Sequence, residues 1–355
     1  MSQTRRNPTI RQVALSCNVS PMTVSAVLNN KSSEVGKETR ERVLKAVRDM
    51  GYRPVPAVRH ARQVPIYGVV AAVEGNSLMQ PGYYNSVLRS ILTEVDRLGH
   101  NVLLFSNAVF HQDPQQSVRL YCDGRCDGII ITAPPPGSPL VQTIQERGLP
   151  FVVIGSTGTS EDVPSVDVHN ISEAYRAVEY LIAQDHRRIA FLGDPSRYPG
   201  DPFVPYSVMQ RRQGYEQALT AHGIALEQSL LTNVGGNDVQ TYQQAVQLLR
   251  QPVSHRPTAI FCWHDPIATE AYRAVQDVGL RIPADVSLIG FDDNPSSSEL
   301  EPALTSMRQP YDLMAETAVK LLTEQIEGQV KKPTRRFLPA ELIVRRSVAP
   351  PPSVS

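Results

Sequence analysis

Apolar residues recur at two different spacings along this 355-residue chain, and the change falls near residue 65. Before it the spacing is helical. Thr9 and Gln12 form a capping-box pair that starts a helix with Ile10, Val13 and Ala14 on its apolar side. Cys17-Asn18-Val19 reads as a tight turn. Ser20 then caps a second helix with Pro21 at its first position, where a missing N–H costs nothing. Val24, Val27 and Leu28 form its inner side, and Thr23, Ser25 and Ala26 face away. A third helix is predicted from about Lys37 to Met50, buried through Val43, Ala46, Val47 and Met50, with Gly51 as its C-terminal cap. Two short helices joined by a tight turn describe a helix-turn-helix, whose second helix enters a DNA major groove. Any small three-helix bundle shares that periodicity.

From Ile66 onward the pattern becomes short apolar runs separated by helical stretches. IYGVVAAV, NVLLF, DGIIIT and FVVIG read as one series of buried strands, with helices from near Tyr83, Pro114 and Pro139. SVDV, RIAFLGD, TAIFCW and DVSLIGFDD read as a second series, with helices from about Ile171, Ser207, Asp238 and Pro266. Apolar strands alternating with helices imply parallel sheets with right-handed crossovers. Two series predict two α/β lobes, with a ligand cleft at the carboxyl ends of the strands.

Composition sharpens this only through charge. Lys and Arg balance Asp and Glu at 35 each, but not evenly. Residues 1–63 hold 12 basic and 4 acidic residues, whereas residues 64–355 hold 23 and 31. A basic end segment attracts a phosphate backbone, although a solvated basic arm would look the same. No GxGxxG, GxxxxGK[ST], GxSxG or HExxH occurs, so nucleotide binding and hydrolysis find no support. Cys17, Cys122, Cys126 and Cys262 are scattered, with neither disulfide nor metal spacing. With no leader-like or membrane-spanning run, a cytoplasmic protein with no cofactor and no metal is expected.

The residues now become specific. TIRQVALSCNVSPMTVSAVLNN, followed by VGKETRERVLKAVRDMGYRP, closely resembles the DNA-binding head of the LacI/GalR family of repressors. Matching positions include Val13, Ala14, Val19, Ser20, Thr23, Val24, Ser25, Val27, Leu28 and Asn29, then Thr39, Arg40, Val43, Gly51, Tyr52 and Pro54. The resemblance implies that Ser20, Thr23, Ser25 and Asn29 hold phosphates, and that Thr9 belongs to the same interface. It places Pro21, Met22 and Ala26 at base-reading positions. Ala26 departs from the family's usual polar residue. Pro21 and Met22 offer apolar contact, for instance to a thymine methyl, but no bidentate bond to guanine. The family's hinge helix corresponds to VPAVRHARQ, where Arg59 lies on the DNA side and Ala61 replaces the leucine wedge. A plain basic linker and a DNA-kinking hinge both fit this segment.

The resemblance continues through GYYNSVLRSILTEVDRLGH, DGIII, HRRIAFLGD, RRQGY, IPADVSLIGFDD, LTSMRQP and ELIVRRS. It implies a periplasmic-binding-protein-like effector domain that dimerises and binds sugars or related metabolites. Carried over position by position, Arg211 is the ligand-binding arginine, from the second lobe, and Asp292 the hydroxyl-binding carboxylate, expected where the chain crosses back towards the first. Tyr83 and Tyr84 are aromatic positions that stack on a ligand or serve the core. His264 stands where the family commonly has Asn, and Gly155 where some sugar binders have Asp. Asp167 and His169 lie near another cleft-lining position.

The expected architecture is α/β: a three-helix head over residues 1–54, a hinge or linker over 55–64, a two-lobed parallel-sheet domain over 65–350 and a tail over 351–355. The expected function is a dimeric repressor that binds a near-palindromic operator in double-stranded DNA under control of a sugar-like effector. A free-standing transport-linked binding protein and a sugar-modifying enzyme are the competing classes. The first conflicts with the basic helical head, the second with the absence of a nucleophile, metal cluster or phosphate loop.

Overall fold

Backbone donors at the start of the chain are met by nearby side chains, and this fixes the first two helices. In the computed structural model, which describes residues 8–28, 35–50, 52, 64–71, 82–105, 121–134, 138–155, 162–193, 206–232, 238–329 and 333–352, helix α1 spans Ile10–Ser16. Its capping box is complete: Gln12 N donates to Thr9 Oγ1 at 3.3 Å and Thr9 N donates to Gln12 Oε1 at 2.6 Å. Asn18 turns the chain with φ 51°, a left-handed conformation that Asn tolerates better than most side chains. Helix α2, Pro21–Leu28, begins with Thr23 N donating to Ser20 Oγ at 3.0 Å. Helix α3 spans Lys37–Met50. The three meet on Val13, Ala14, Cys17, Val24, Val27 and Val43. Ala46, Val47 and Met50 are half-buried at the margin of this core rather than inside it.

Twelve strands among the described residues form two six-stranded sheets. The first holds β1 (Ile66–Ala71), β2 (Asn101–Phe105), β3 (Gly128–Thr132), β4 (Phe151–Ile154), β5 (Ser165–Val168) and β11 (Arg335–Leu338), in the order β11-β5-β4-β3-β1-β2. Its pairings are parallel throughout. The second holds β6 (Ile189–Leu192), β7 (Leu231–Thr232), β8 (Ala259–Cys262), β9 (Ser287–Asp292), β10 (Thr305–Arg308) and β12 (Glu341–Ile343), in the order β12-β10-β9-β8-β6-β7. Only β12 runs antiparallel.

The described helices of the lobes are α4 (Tyr83–Arg97), α5 (Pro139–Glu146), α6 (Asn170–Ala183), α7 (Tyr206–Ala221), α8 (Asp238–Leu249), α9 (Asp265–Asp277) and α10 (Tyr311–Ile326). The buried runs Ile129-Ile130-Ile131 and Phe151–Ile154 explain the continuous apolar strand signal, since both faces of these strands are covered.

Two expectations are corrected here. SVDV pairs with β4 and β11, so it completes the first sheet instead of opening the second. Asp292 ends β9, but the chain does not cross between lobes there. The crossings follow β5, β10 and β11: α6 packs on α7 in the second lobe, α10 packs on α4 in the first, and β12 joins the second sheet. Residues 168–170, 308–311 and 338–341 therefore join the lobes. Arg176 on α6 braces the third crossing by donating through Nη1 to Ala340 O at 3.1 Å. The helix expected near Pro114 and the cap Gly51 lie outside the described residues.

Candidate functional site

The outer side of α2 carries the first candidate surface. Thr9, Ser20 and Pro21 are exposed, and Met22 is 82% exposed, a large apolar side chain held in solvent at the start of the helix. Thr23, Ser25 and Ala26 are half-buried beside it. The Ser20 and Thr23 hydroxyls lie 2.9 Å apart and are tied to the helix N-terminus. Here backbone N–H groups and the helix dipole favour a phosphate. The apolar Met22 is then free to face base edges. Asn29, Arg59 and Ala61 lie outside the described residues.

The second site is the cleft where strand ends of the two lobes face each other. Arg211 rises from α7 and is only 3% exposed. Its Nε donates to Asn170 Oδ1 at 2.9 Å, and its Nη1 donates to Trp263 O at 2.6 Å. The same Nη1 stands 3.4 Å from Asp292 Oδ1. The guanidinium lies 3.6 Å from the centre of the Phe291 ring, a cation–π contact that helps to hold it in place. Asp292 and Asp293 both have left-handed backbones, with φ 109° and 53°. Such conformations cost energy and persist where the surroundings hold them, often at ligand sites. Gln309 secures the carboxylate by donating through Nε2 to Asp292 Oδ1 at 2.7 Å.

Burial raises the Asp292 carboxyl to about 6, with Arg211 and Gln309 pulling the other way. Behind it, Asp265 opens α9 and accepts from Asn294 N at 2.9 Å, Ser297 Oγ at 2.6 Å and Ser306 Oγ at 2.8 Å. Burial and the neighbouring Asp292 charge raise it to about 7 despite these donors. His264, half-buried at the N-cap of α9, is driven down to about 3 by desolvation and by the Arg211 charge. It is a neutral imidazole over the physiological range, lying edge-on to Trp263 with ring centres 4.0 Å apart.

On the first-lobe side, Tyr83 meets Tyr84 and Tyr311 edge-to-face, with ring centres 5.4 and 5.8 Å apart. Burial raises the pKa of all three phenols, so they stay protonated. Gly155, with φ +75°, leaves room for the Tyr83 hydroxyl: a Cβ there would lie 2.3 Å from Tyr83 Oη. On the second lobe Gly193, with φ +140°, does the same for Trp263, whose Cδ1 would lie 2.0 Å from an added Cβ. Both glycines are thus demanded by aromatic walls as well as by their backbones.

The structure therefore gathers Tyr83, Tyr84, Arg211, His264 and Asp292 around one cleft. Asp167 approaches the same group, raising Tyr83 further, and holds Asn170 through an Nδ2 donor at 3.3 Å. His169 points elsewhere: it is exposed and stacks on Phe337 at 4.3 Å. Asn170, Trp263, Gln309 and Tyr311 were not expected from the sequence. All four sit inside or within two residues of the runs TAIFCW, SVDV and LTSMRQP, but one-dimensional spacing does not reveal that separate strand ends converge. Among the described residues no group of His, Cys, Asp and Glu is placed to hold a metal, and no helix is long and apolar enough to cross a membrane.

Comparison with known proteins finds matches to both parts of the chain. Residues 9–55 match the model of bacterial regulatory proteins of the lacI family, and residues 178–348 match a periplasmic binding protein-like domain. The chain is 31% identical to the HTH-type transcriptional regulator CelR of Thermobifida fusca, over 97% of this chain and 99% of the relative. It is 32% identical to the HTH-type transcriptional repressor CytR of Escherichia coli strain K12, over 96% of each. A solved CelR–cellobiose complex superposes with a TM-score of 0.71 at 28% identity, covering 96% of this chain and 99% of that one. The lac repressor dimer bound to operator and the anti-inducer ONPF superposes at 0.68 with 26% identity, covering 97% and 100%.

Proposed function

Since this chain belongs to the LacI family and is a DNA-binding transcription regulator, not an enzyme, we propose that it is a dimeric repressor whose operator affinity is set by a sugar or sugar derivative bound between its lobes. Residues 1–54 read the operator, 55–64 connect, 65–350 sense and dimerise, and 351–355 form a tail. On the head, Thr9, Ser20, Thr23, Ser25 and Asn29 hold phosphates while Pro21, Met22 and Ala26 face bases, with Arg59 and Ala61 continuing the interface. In the cleft, Tyr83, Tyr84, Arg211, His264 and Asp292 hold the effector. The CelR–cellobiose complex supports a carbohydrate for this cleft, and the operator-bound lac repressor dimer supports a two-fold arrangement of heads.

One observation carries the reading: the buried Arg211–Asp292 pair is bonded to two of the segments that join the lobes. Arg211 grips Asn170, at the end of the first crossing, and Asp292 is gripped by Gln309, on the second. A ligand that engages this pair acts directly on the segments about which the lobes turn. It can bias operator affinity through its different affinity for two lobe arrangements.

Selection of bound duplexes from a random pool tests the DNA half. Half-sites about 10 base pairs apart from centre to centre are expected, with affinity falling steeply as salt rises. A single unpaired half-site, or salt-independent binding, would contradict it.

A further inference from the structure

The second crossing is held on two faces, and only one of them looks into the cleft. β9 and β10 run parallel with Asp292 level with Arg308, and side chains extend the pairing past the ladder. On the cleft side Gln309 donates to Asp292. Arg308 precedes Gln309 in extended chain, so its side chain takes the opposite face. There its Nε and Nη2 both reach Asp293 Oδ2 at 2.7 Å. The other oxygen, Asp293 Oδ1, accepts from Arg345 Nη1 at 2.6 Å. Two consecutive residues at the end of β9 thus grip two consecutive residues at the end of β10.

The outer grip is firm. The Asp293 side chain is only 3% exposed, and each of its oxygens accepts from an arginine. Charge-assisted bonds of this kind are strong, and a buried carboxylate that lost them would keep an uncompensated charge. Its left-handed backbone is held by Ser306, whose Oγ accepts from Asp293 N at 3.1 Å. Arg345 is fixed in turn to the start of β10, donating through N to Thr305 Oγ1 at 3.0 Å and through Nη1 to Leu304 O at 2.6 Å. Asp293 is therefore the point at which the end of β9, both ends of β10 and the segment after β12 are fastened together.

This fastening decides what becomes of a displacement at Asp292. If the crossing were held on the cleft side alone, Gln309 and its neighbours would follow Asp292 and absorb the movement locally. With Arg308 bound to Asp293, the end of β10 moves with the end of β9, and the movement passes to α10, which packs on α4 in the first lobe. We propose that Asp293 and Arg308 are positioning residues that couple the cleft to the DNA-binding heads while touching neither effector nor DNA. The inference rests on the reading of an effector-controlled repressor argued above.

Trp263 supplies the test. It is the only tryptophan of the chain, it is half-buried in the cleft wall, and its carbonyl accepts from Arg211, which also faces Asp292. Its emission reports on the cleft with no effector present. Coupling is reciprocal, so operator bound at the heads acts back on the cleft. The full chain is titrated with the operator duplex obtained by selection, following both operator binding and Trp263 fluorescence, for the wild type, Arg308→Gln and Arg308→Lys. Arg308 is half-exposed and Arg345 still balances Asp293 after its removal, so both variants should fold. The operator is expected to change Trp263 emission in the wild type. Arg308→Gln, too short to hold Asp293 at two points, should bind operator within about threefold of the wild type and keep about a third or less of the emission change. Arg308→Lys retains the charge without the fork and should fall between the two. A merely structural ion pair would lower the melting temperature of Arg308→Gln and leave the emission change whole, which overturns the inference. If the wild type binds operator with no change at Trp263, the coupling of cleft to heads fails, and the repressor reading falls together with this inference.

Discussion

Asp292 ionises near 6 because burial outweighs the attraction of Arg211, and this gives the cleft a pH response of defined sign. An effector hydroxyl donates best to the ionised carboxylate. Effector affinity should therefore be level between pH 8 and 7 and fall by up to about tenfold per unit below pH 6. His264, at about 3, does not titrate in this window. Folding responds in the other direction. The folded-state value lies above the ordinary carboxylate value of 3.8, so the contribution of Asp292 to stability is fully present at low pH and is lost as pH rises through 6. Melting curves of wild type and Asp292→Asn, a neutral stand-in for the protonated acid, should converge on acidification and separate as pH rises through 6, where the buried charge costs the wild type stability. A wild type that binds effector more tightly at pH 5.5 than at pH 7 would contradict the assignment. At Gly193 a methyl group meets Trp263 and the backbone is left-handed, so Gly193→Ala should cost about 1–3 kcal/mol by denaturant titration and weaken effector binding. Wild-type behaviour in both assays would show that the Trp263 wall is not built as described. Arg211, Asp292 and His264 were legible as positions in sequence runs. Their partners Asn170 and Gln309 were not, because each lies on a different crossing and only the fold brings them within 3 Å.

At the scale of elements, α2 shows how local chemistry sets a recognition surface. Ser20 ties the helix start and Met22 stands in solvent one position into the helix. Ser20→Ala should remove about 1 kcal/mol of head stability by losing the cap. Met22→Ala should relax base preference at one operator position and lower affinity without changing the slope of affinity against salt, because no phosphate contact is lost. Repeated duplex selection and a salt titration check both statements, and a changed slope with unchanged base preference would count against Met22 as a base reader. The capping box at Thr9, the turn at Asn18 and the apolar strands β1, β3, β4, β8 and β9 were plain in the sequence, since caps and unbroken apolar runs are local signals. The very short and the mixed strands were not. β7 has two residues, and β10 to β12, with TSMR, RRFL and ELI, mix charge into edge or crossing positions. Their strand character comes from pairing with neighbours rather than from periodicity. SVDV shows its strand character in the sequence but not its lobe, because a four-residue run carries no record of the strands it pairs with, here β4 and β11.

For the whole molecule, three crossings join the lobes and two of them are bonded to the pair that faces the effector. A head that reads DNA and a cleft that senses a sugar are useful together only if occupancy of the cleft changes operator affinity. The basic head and the acidic remainder make DNA binding itself salt-dependent, so coupling has to be measured at fixed salt. The decisive measurement is a titration of fluorescent operator, taken from the duplex selection, with and without a saturating neutral sugar that calorimetry shows to be bound. The same titration is repeated on Arg211→Lys, which keeps the charge but not the planar fork that reaches Asn170, Trp263 and Asp292 at once. The account predicts that the sugar shifts operator Kd by about tenfold or more in the wild type and by far less in the variant. Superimposable wild-type curves with the sugar demonstrably bound would contradict it.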